Sequence, residues 1–469
     1  MGKEFRFDMG PTREFSLAPY LPYDPQVMFY GRMGNMMIPF EYTGWLDETM
    51  SWKKTCYLHT GLSMRGTWIT IKGPDAERLL SENSVCDFST LKTGHGRHII
   101  FCNPLGHIMG HGIILRLGED EFCGFGCEQM LMYLGITKGY NIEPVMPEFN
   151  DYVFQIGGPN SLQVIENACH EDFHDLKFMS FRYADIAGHT VRLFRVGMAG
   201  TLAYEVHGTI DTGLEVYDAI WEAGKPFGIR RLGEFYQSYF CQHTENGFPQ
   251  SFGHFYNAFT EDPEFMGFYR AFMIPEHPGV KDIWDAACGY EDMEGTLGDN
   301  LSDYYRNPFE LGWGYAINWH HEFVGKEALK KMSEGVTREP VTLNWNAEDV
   351  LDVHASYLRD DGEPYMFMGY PRDHKYANFQ LRVEDKDGNV VGVTSLRTYT
   401  LYQRKHISLC CLDPEQATVG NEVIVIWGDK DKYPIKRIRA KVAPFPSLDL
   451  PRNKDYDVES IPHYVKNQK

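Results

Sequence analysis

The sequence predicts an α+β fold that ends in an antiparallel β-barrel, and two observations lead to this prediction. A strand, a Gly-Pro turn and a helix follow one another twice, over residues 67–80 and again over residues 154–165. After Glu339, short β-rich segments alternate with turns, as is typical of antiparallel barrels and sandwiches. We therefore expect a mixed α+β region over residues 1–338 and a β-barrel domain over residues 339–469.

The individual elements follow from residue patterns. Residues 67–71 alternate between polar and apolar side chains, which indicates a half-buried strand, and a turn at Gly73 leads into a helix. Residues 154–156 begin the same order again, with the turn at Gly158. Six strands are expected in the barrel, at residues 343–345, 379–383, 390–395, 407–412, 423–427 and 438–442.

An aromatic-rich segment separates these two regions. Residues 236–272 contain twelve aromatic side chains without a helical stripe. Such a segment either packs as a loop on the core or forms the wall of a site for a flat ligand, because aromatic rings bury large areas and stack on other rings. Both interpretations stay open from the sequence.

Composition and charge exclude several classes of protein. The chain has 45 Lys and Arg against 65 Asp and Glu, and its net charge of −20 would repel nucleic acid. No apolar run reaches the roughly 20 residues that cross a bilayer, and the first residues lack an apolar signal core.

His107 and His111 are expected on a strand, where four residues span about 13 Å, too far for one zinc ion. We expect a cytoplasmic protein with no metal, no nucleic-acid partner and no membrane partner.

One segment carries a pattern with chemical meaning. Arg195, Gly197 and Gly200 precede Tyr204 and Glu205 in the order Arg-x-Gly-x-x-Gly-x-x-x-Tyr-Glu. The two glycines imply a tight turn, after which Glu205 lies on a strand among apolar neighbours. Its carboxylate either faces solvent or points into a pocket, where it can accept two parallel N–H bonds from a guanidine-like edge.

This pattern resembles a motif of the folate-dependent aminomethyltransferases typified by the glycine-cleavage T-protein. The segments 308–312 and 323–329 are similar to two further motifs of that family, and residues 391–395 resemble its C-terminal barrel. Within the family, the chain most resembles the tetrahydrofolate-dependent aromatic O-demethylases of the vanillate and syringate type. The segments that carry this closer similarity are 106–114, 138–141, 197–200 and 303–310.

The resemblance implies an aminomethyltransferase-like fold, in which two intertwined α+β subdomains surround a folate channel and an antiparallel β-barrel follows at the C-terminal end. It also implies tetrahydrofolate as the cofactor and a methoxylated aromatic compound as the substrate. N5 of the pterin would attack the methyl carbon, so that a phenol and 5-methyl-tetrahydrofolate form. The protein would contribute alignment of the reacting atoms and exclusion of water.

Candidate site residues follow by position from the same resemblance. Catalytic roles are expected for His59, Tyr30 and His111. Contacts with tetrahydrofolate are expected for Glu205, Tyr204, Tyr236 and Phe248. Contacts with the substrate are expected for Ser63, Cys127 and Tyr239. Cys127 stands where the O-demethylases carry an arginine that grips an aromatic carboxylate, so the substrate either lacks a carboxylate or binds it through another cation.

Two other functions stay open. The chain can be a folate-dependent transferase with another one-carbon donor, such as a methylenedioxyphenyl, sulfonium or N-methyl compound. It can also be a folate-binding protein without turnover, because Met33 and Asn35 replace the tyrosine pair of the O-demethylases. Their histidine falls near Ser63, with His59 four residues earlier as its substitute. His111 stands where the aminomethyltransferases place an aspartate pair, which argues against glycine cleavage itself.

Overall fold

A computed structural model describes most of the 469 residues. The described ranges are 7–8, 14–17, 24–33, 36–59, 68–145, 151–234, 241–251, 253–272, 295–335, 337–373, 380–429 and 432–465. Their helices are α1 (Trp45–Glu48), α2 (Ser51–Lys54), α3 (Ala76–Asn83), α4 (Glu128–Thr137), α5 (Ser161–Cys169), α6 (Gly213–Gly224), α7 (Gln242–Asn246), α8 (Pro263–Phe272), α9 (Lys326–Ser333) and α10 (Ala347–Ala355). Helices and strands mix along the chain, as the predicted α+β class requires.

Three open sheets form the body of the molecule. A small N-terminal sheet contains β1 (Phe7–Asp8), β2 (Glu14–Leu17), β3 (Phe29–Met33) and β4 (Met36–Glu41). The largest sheet contains β5 (Cys56–His59), β10 (Asp151–Gly157), β11 (Phe181–Ile186), β12 (His189–Phe194), β13 (Ala203–Thr209) and β14 (Ile229–Arg231). The third contains β6 (Ile69–Lys72), β7 (Gly96–Cys102), β8 (Ile108–Arg116) and β9 (Glu121–Phe125).

Strand order confirms that the subdomains are intertwined. The largest sheet runs β11-β12-β13-β10-β5-β14, and the third sheet runs β6-β9-β8-β7. The chain therefore leaves the largest sheet after β5, builds the whole of the third sheet, and returns at β10. Strand β10 then lies between β5 and β13, so it joins segments that are about 150 residues apart in the chain.

The two predicted strand–turn–helix units are β6 with α3 and β10 with α5. Their turn glycines have positive φ angles, +139° at Gly73 and +123° at Gly158. A Cβ at Gly73 would lie 2.7 Å from the carbonyl oxygen of Asn141, and one at Gly158 would lie 2.5 Å from that of Thr55. Each turn thus runs against another segment of backbone, which only glycine permits.

The C-terminal barrel is closed and has the six predicted strands. They are β15 (Glu339–Trp345), β16 (Gln380–Glu384), β17 (Val390–Thr400), β18 (Lys405–Leu412), β19 (Glu422–Trp427) and β20 (Lys436–Ala443), in the order β15-β18-β17-β16-β19-β20. Helix α10 follows β15 and was not predicted; the Asn346 side chain caps it by accepting from the N–H of Asp349 at 3.1 Å. The first strand begins at Glu339, and the division into two domains at that residue stays a prediction.

The described part of the aromatic-rich segment mostly belongs to the core. Phe255, Tyr256, Phe259, Phe265 and Tyr269 are buried beside the third sheet, in one cluster with its apolar strand residues. These side chains pack on the core, as one of the two interpretations predicted, but Phe265 and Tyr269 do so from helix α8 and not from a loop. In the described ranges, no helix has the length and apolar character needed to cross a membrane.

Residues 449–465, which we call the C-terminal segment, return from the barrel to the largest sheet. Ile461 enters the core of that sheet. Asn453 donates its backbone N–H to the carbonyl of Gly200 at 3.1 Å, and its side-chain oxygen accepts from Arg195 Nε at 3.1 Å. The segment therefore holds the turn that precedes β13.

Candidate active site

Three polar side chains form a row across the largest sheet. His59 on β5, Gln155 on β10 and Glu205 on β13 occupy directly opposite positions on neighbouring strands. Residues paired in this way point to the same face of a sheet. His59 and Gln155 are each 2% exposed, whereas the Glu205 side chain keeps 14% of its surface exposed. Glu205 is the member of this row that a ligand can reach most easily.

The orientation of the Gln155 amide is fixed by its neighbours. Its Oε1 accepts from the Tyr57 hydroxyl at 2.5 Å and from the backbone N–H of Met198 at 3.2 Å. A backbone N–H can only donate, so the oxygen of the amide must face it. The Nε2 group is thereby turned towards Glu205, and it donates to Glu205 Oε1 at 3.1 Å.

The second oxygen of Glu205 is held by a histidine of fixed tautomer. Arg192 Nε donates to His207 Nδ1 at 3.1 Å, and His207 Nε2 donates to Glu205 Oε2 at 3.0 Å. Because guanidinium can only donate, the proton of a neutral His207 must sit on Nε2. Burial lowers the pKa of His207 to about 4, with the hydrogen bond to Glu205 opposing this shift and the Arg192 charge contributing to it. The ring of Trp68 packs on that of His207, with 4.8 Å between centroids.

Each oxygen of the Glu205 carboxylate therefore accepts one bond from the protein. A carboxylate has about four acceptor sites, so both oxygens keep capacity for further donors. The remaining acceptor sites can hold two parallel N–H groups on a ligand, in the bidentate arrangement that carboxylates form with guanidine-like edges.

The turn before β13 needs glycine at both motif positions. A Cβ at Gly197 would lie 2.2 Å from the Cβ of Ala203, and one at Gly200 would lie 2.2 Å from Oδ1 of Asn246. Gly200 also has a φ of +76°. This close approach brings the N–H of Met198 to Gln155, so the motif orients Gln155 towards Glu205.

His59 is buried between two acceptors. Its Nδ1 lies 2.9 Å from the carbonyl oxygen of Leu232, and its Nε2 lies 3.2 Å from Oε2 of Glu234 without hydrogen-bond alignment. The carbonyl requires a proton on Nδ1. With that proton on Nδ1, the Nε2 atom faces the Glu234 carboxylate, whose side chain is also 2% exposed.

A second cluster surrounds His111 on the third sheet. Its ring centroid lies 4.6 Å from that of Trp313, 5.4 Å from that of His98 and 6.1 Å from that of Phe248. Phe255 packs at 5.9 Å. The structure thus brings together two residues predicted for the site, His111 and Phe248, and surrounds them with uncharged rings.

The histidines of this cluster are neutral. Burial lowers the pKa of His98 to about 3 and that of His111 well below its usual range, with His98 and neighbouring histidines adding to the shift at His111. The backbone N–H of Ser251 faces His111 Nε2 at 3.5 Å, which leaves the His111 proton on Nδ1 for His98 Nε2 at 3.3 Å. The proton of His98 then sits on Nδ1, which is shielded from solvent and has no partner among the described residues.

Helix α7 connects the two clusters. Gln242 Oε1 lies 3.4 Å from the Tyr57 hydroxyl, and the adjacent His243 packs its ring 5.8 Å from that of Phe248. Asn246 donates to the carbonyl oxygen of Met198 at 3.0 Å. One short helix therefore contacts both the Glu205 row and the His111 cluster.

Several predicted site residues lie elsewhere. Tyr204 alternates with Glu205 along β13, so its ring enters the core on the opposite face. Cys127 is buried against Gly112, which also lies on the opposite face of β8 from His111. The Tyr30 hydroxyl accepts from the backbone N–H of Asp24 at 2.9 Å. The structure therefore brings neither Tyr204 next to Glu205 nor Cys127 next to His111. Three further candidates lie outside the described residues: Ser63, Tyr236 and Tyr239.

Sequence reasoning missed several residues of both clusters. Gln155 could have been found as a polar residue in an otherwise apolar strand, and His207 by its spacing of two from Glu205 on the same strand. Tyr57, Arg192 and Trp313 gave no comparable signal, because only the pairing of distant strands brings them to the site.

Comparisons with known proteins agree with this architecture. The model of the GCVT N-terminal domain family matches residues 28–249. Sesamin methylene transferase from Sinomonas sp. is 35% identical over 438 residues, which cover 91% of this chain and 93% of that protein. Syringate O-demethylase from Sphingobium sp. is 28% identical, over 87% of this chain and 89% of that protein.

A solved structure shares the fold. The glycine cleavage system aminomethyltransferase T from Bartonella henselae superposes with a TM-score of 0.60 at 15% sequence identity, over 92% of this chain and 96% of that chain. At this identity the likeness concerns the fold alone. It confirms the aminomethyltransferase-like fold predicted from the sequence.

Proposed function

This chain belongs to the family of the glycine-cleavage aminomethyltransferases, and on that premise we propose that it transfers a one-carbon group from an uncharged aromatic ether to tetrahydrofolate. Tetrahydrofolate is the cofactor of this family, and it supplies, when bound, the nucleophilic nitrogen N5 that accepts the carbon. The residues of this chain would bind both reactants, align them and exclude water.

The observation that carries the proposal is the arrangement around Glu205. A pterin carries an amino group beside a ring N–H, which is a guanidine-like edge. Glu205 offers such an edge two oxygens that are already held in place by Gln155 and His207. A carboxylate fixed in this way needs no reorganisation when the ligand arrives, so the binding free energy is not spent on ordering the side chain.

The His111 cluster favours a donor without charge. Its rings are those of neutral histidines and of Phe248, Phe255 and Trp313. A carboxylate buried among them would lose its hydration without gaining a cation, which costs several kcal/mol. A neutral aromatic ring would instead stack on these side chains.

Cleavage of the ether leaves an electron pair on the aryl oxygen. A phenol has a pKa of about 10, so an N–H donor beside that oxygen lowers the barrier. We assign this donor to His98, whose Nδ1–H lacks a partner among the described residues. The overall proton balance closes within the site, because the aryl oxygen gains one proton while the accepting nitrogen loses one.

The ether carbon can be a methoxy or a methylenedioxy carbon. The sequence favoured an aryl methyl ether, which would give a phenol and 5-methyl-tetrahydrofolate. The 35% identity to a sesamin methylene transferase favours a methylenedioxyphenyl donor. In that case both carbon–oxygen bonds break, the carbon bonds to N5 and N10 of the folate, and each of these nitrogens loses one proton to an aryl oxygen. The products would be a catechol and 5,10-methylene-tetrahydrofolate.

Product analysis tests the proposal. Purified protein is incubated with tetrahydrofolate and either 1,2-dimethoxybenzene or 1,3-benzodioxole, and the folate products are identified by mass spectrometry. We expect one donor to react, with the mass of the folate product distinguishing methyl from methylene transfer. Glu205→Gln should lower product formation at sub-saturating tetrahydrofolate, in line with weaker folate binding. Folate binding without a product from any neutral ether would contradict the proposal.

A further inference from the structure

Side chains of the metal-ligating types meet outside the Glu205 row, where two segments of the chain come together. Asp172 and His174 lie in the loop after α5, and His463 lies in the C-terminal segment. One oxygen or nitrogen atom of each lies within 4.8 Å of the others. His463 Nδ1 is 2.7 Å from Asp172 Oδ2, and His174 Nδ1 is 3.4 Å from the same oxygen.

Hydrogen-bond direction leaves a place for a proton or a metal ion between these atoms. His174 Nε2 lies 3.1 Å from the carbonyl oxygen of Ile461, and a carbonyl only accepts, so the ring carries its proton on Nε2. The Nδ1 of a neutral His174 is then a lone pair. It faces Glu166 Oε1 at 2.9 Å and Asp172 Oδ2 at 3.4 Å. A lone pair against two carboxylates is repulsive unless a proton or a metal ion lies between them.

The second histidine repeats this arrangement. His463 turns Nδ1 to Asp172, and its Nε2 lies 3.5 Å from Oε2 of Glu459. Both histidines therefore direct Nδ1 to the Asp172 carboxylate, and the Nε2 of His174 also donates to the carbonyl oxygen of Ile461. Metal-binding histidines have this pattern, because an acceptor at the second nitrogen fixes the tautomer and makes the ligand more basic.

One side of the site is buried and the other is exposed to solvent. The Glu166 and His174 side chains are 1% and 3% exposed, whereas those of Asp172 and His463 are 40% and 55% exposed. The two imidazole rings stack with 3.7 Å between centroids. A metal ion lies in the plane of each ring it binds, so His463 must turn, and its exposure leaves room for that rotation.

We propose that Asp172, His174 and His463 bind a divalent transition metal ion such as Zn²⁺, with Glu166 beside the buried ligand. Two imidazole nitrogens and a carboxylate oxygen are a common ligand set for zinc. The ion would tie the C-terminal segment to the loop after α5. That segment also carries Asn453, which bonds the carbonyl of Gly200, so the metal would stabilise the turn before Glu205. This differs from the expectation of no metal site drawn from the sequence.

Metal titration tests the proposal on the full chain without a histidine tag. The protein is treated with a chelator, and zinc chloride or magnesium chloride is then added. The heat of binding is measured by titration calorimetry, and thermal unfolding by scanning calorimetry. We expect one zinc ion per chain, a rise of several degrees in Tm, and no response to magnesium, which prefers oxygen ligands. Cobalt chloride should give the visible absorption of a bound Co²⁺ ion.

Variants of the two exposed ligands, Asp172 and His463, distinguish this site from zinc binding elsewhere on the chain. His463→Ala and Asp172→Ala should each bind zinc at least tenfold more weakly than the unmodified chain. The matched control is His189→Ala, because His189 Nε2 pairs with Glu215 Oε2 in a similar exposed contact. A Tm that does not respond to zinc, or equal zinc binding by His463→Ala and the unmodified chain, would overturn the proposal.

Discussion

His207 Nε2 lies 3.0 Å from Glu205 Oε2, and this hydrogen bond can run in one direction only. Arg192 Nε occupies the other ring nitrogen as a donor, so His207 must donate to the carboxylate. Gln155 holds the other carboxylate oxygen, because Met198 orients its amide. Met198 in the glycine turn and Arg192 on β12 thus act, through Gln155 and His207, on the same carboxylate. Both of its oxygens are held in place for a ligand with two parallel donors.

Removing the charge at Glu205 should weaken folate binding. Glu205→Gln replaces one oxygen by an NH₂ group that faces either the Gln155 or the His207 donor. Loss of a hydrogen bond to a charged group costs about 1.5–3 kcal/mol, which is roughly a 10–100-fold rise in Kd. Calorimetric titration with tetrahydrofolate measures it. Glu215→Gln, at an exposed carboxylate, is the control, and an unchanged Kd for Glu205→Gln would contradict the assignment.

Arg192 should act through His207 as a positioning residue. Arg192→Met keeps a side chain of similar length against Trp68 but removes the donor to His207 Nδ1. The pKa of His207 should rise, since the Arg192 charge helps to lower it. We expect KM for tetrahydrofolate to rise about fivefold, as for one net hydrogen bond, with kcat within a factor of two. Arg182→Met on β11 should leave both constants unchanged, and a fall confined to kcat would argue against a positioning role.

Acid should destabilise this protein through its buried histidines. Burial lowers the pKa of His98 and His254 to about 3 and that of His243 to about 4, whereas histidine in an unfolded chain titrates near 6.5. Below pH 6.5 the unfolded state therefore binds more protons, and stability falls as the pH drops towards 4. Each such histidine contributes up to about 1.4 kcal/mol per pH unit.

Urea unfolding at pH 7 and pH 5 measures this slope. His243→Gln should reduce the loss of stability between the two values by the share of one histidine. The exposed variant His189→Gln should leave the slope unchanged. Equal stability of the unmodified protein at both pH values would show that these histidines are protonated in the folded state.

His98 should affect turnover more than folate binding. His98→Phe removes the N–H donor but keeps a ring against Trp313 and Phe248. Loss of a proton donor should lower kcat roughly 100-fold, while Kd for tetrahydrofolate stays within a factor of two. His98→Gln, which retains an N–H group, should recover part of the rate, and the exposed His95→Gln should behave like the unmodified protein. Equal rates for Phe and Gln at this position would contradict the donor role.

The sequence was sufficient for the parts of the fold that depend on local pattern. All six barrel strands were expected at the correct places, because short β-rich runs and turn residues define them locally. Helix α10 was missed, although Asn346 and the acidic residues after it form a capping signal. The intertwining of the two subdomains followed from the family resemblance, since nothing local indicates that β5 pairs with β10.

Prediction of the site succeeded where one residue carried the signal. Glu205 was singled out by the glycines before it, and the structure shows how those glycines orient Gln155 towards it. Tyr204 illustrates the opposite case, because a residue adjacent to Glu205 on a strand points to the other face. One donor on Glu205 comes from β10 and the other, His207, from β13 itself, where Arg192 on β12 orients it. The rings around His111 come from His98 on β7, Phe248 and Trp313. Such combinations depend on tertiary pairing, which a single sequence does not display.

The central claim is one-carbon transfer to tetrahydrofolate from an aromatic ether that carries no charge. The most direct measurement compares kcat/KM for two donors that differ in a single group, 1,3-benzodioxole and 1,3-benzodioxole-5-carboxylate, together with the corresponding dimethoxybenzene pair. We predict that the neutral member of the reactive pair is preferred at least 100-fold, because the histidines and rings around His111 offer no cation to a carboxylate. A preference for the carboxylated donor would contradict the account.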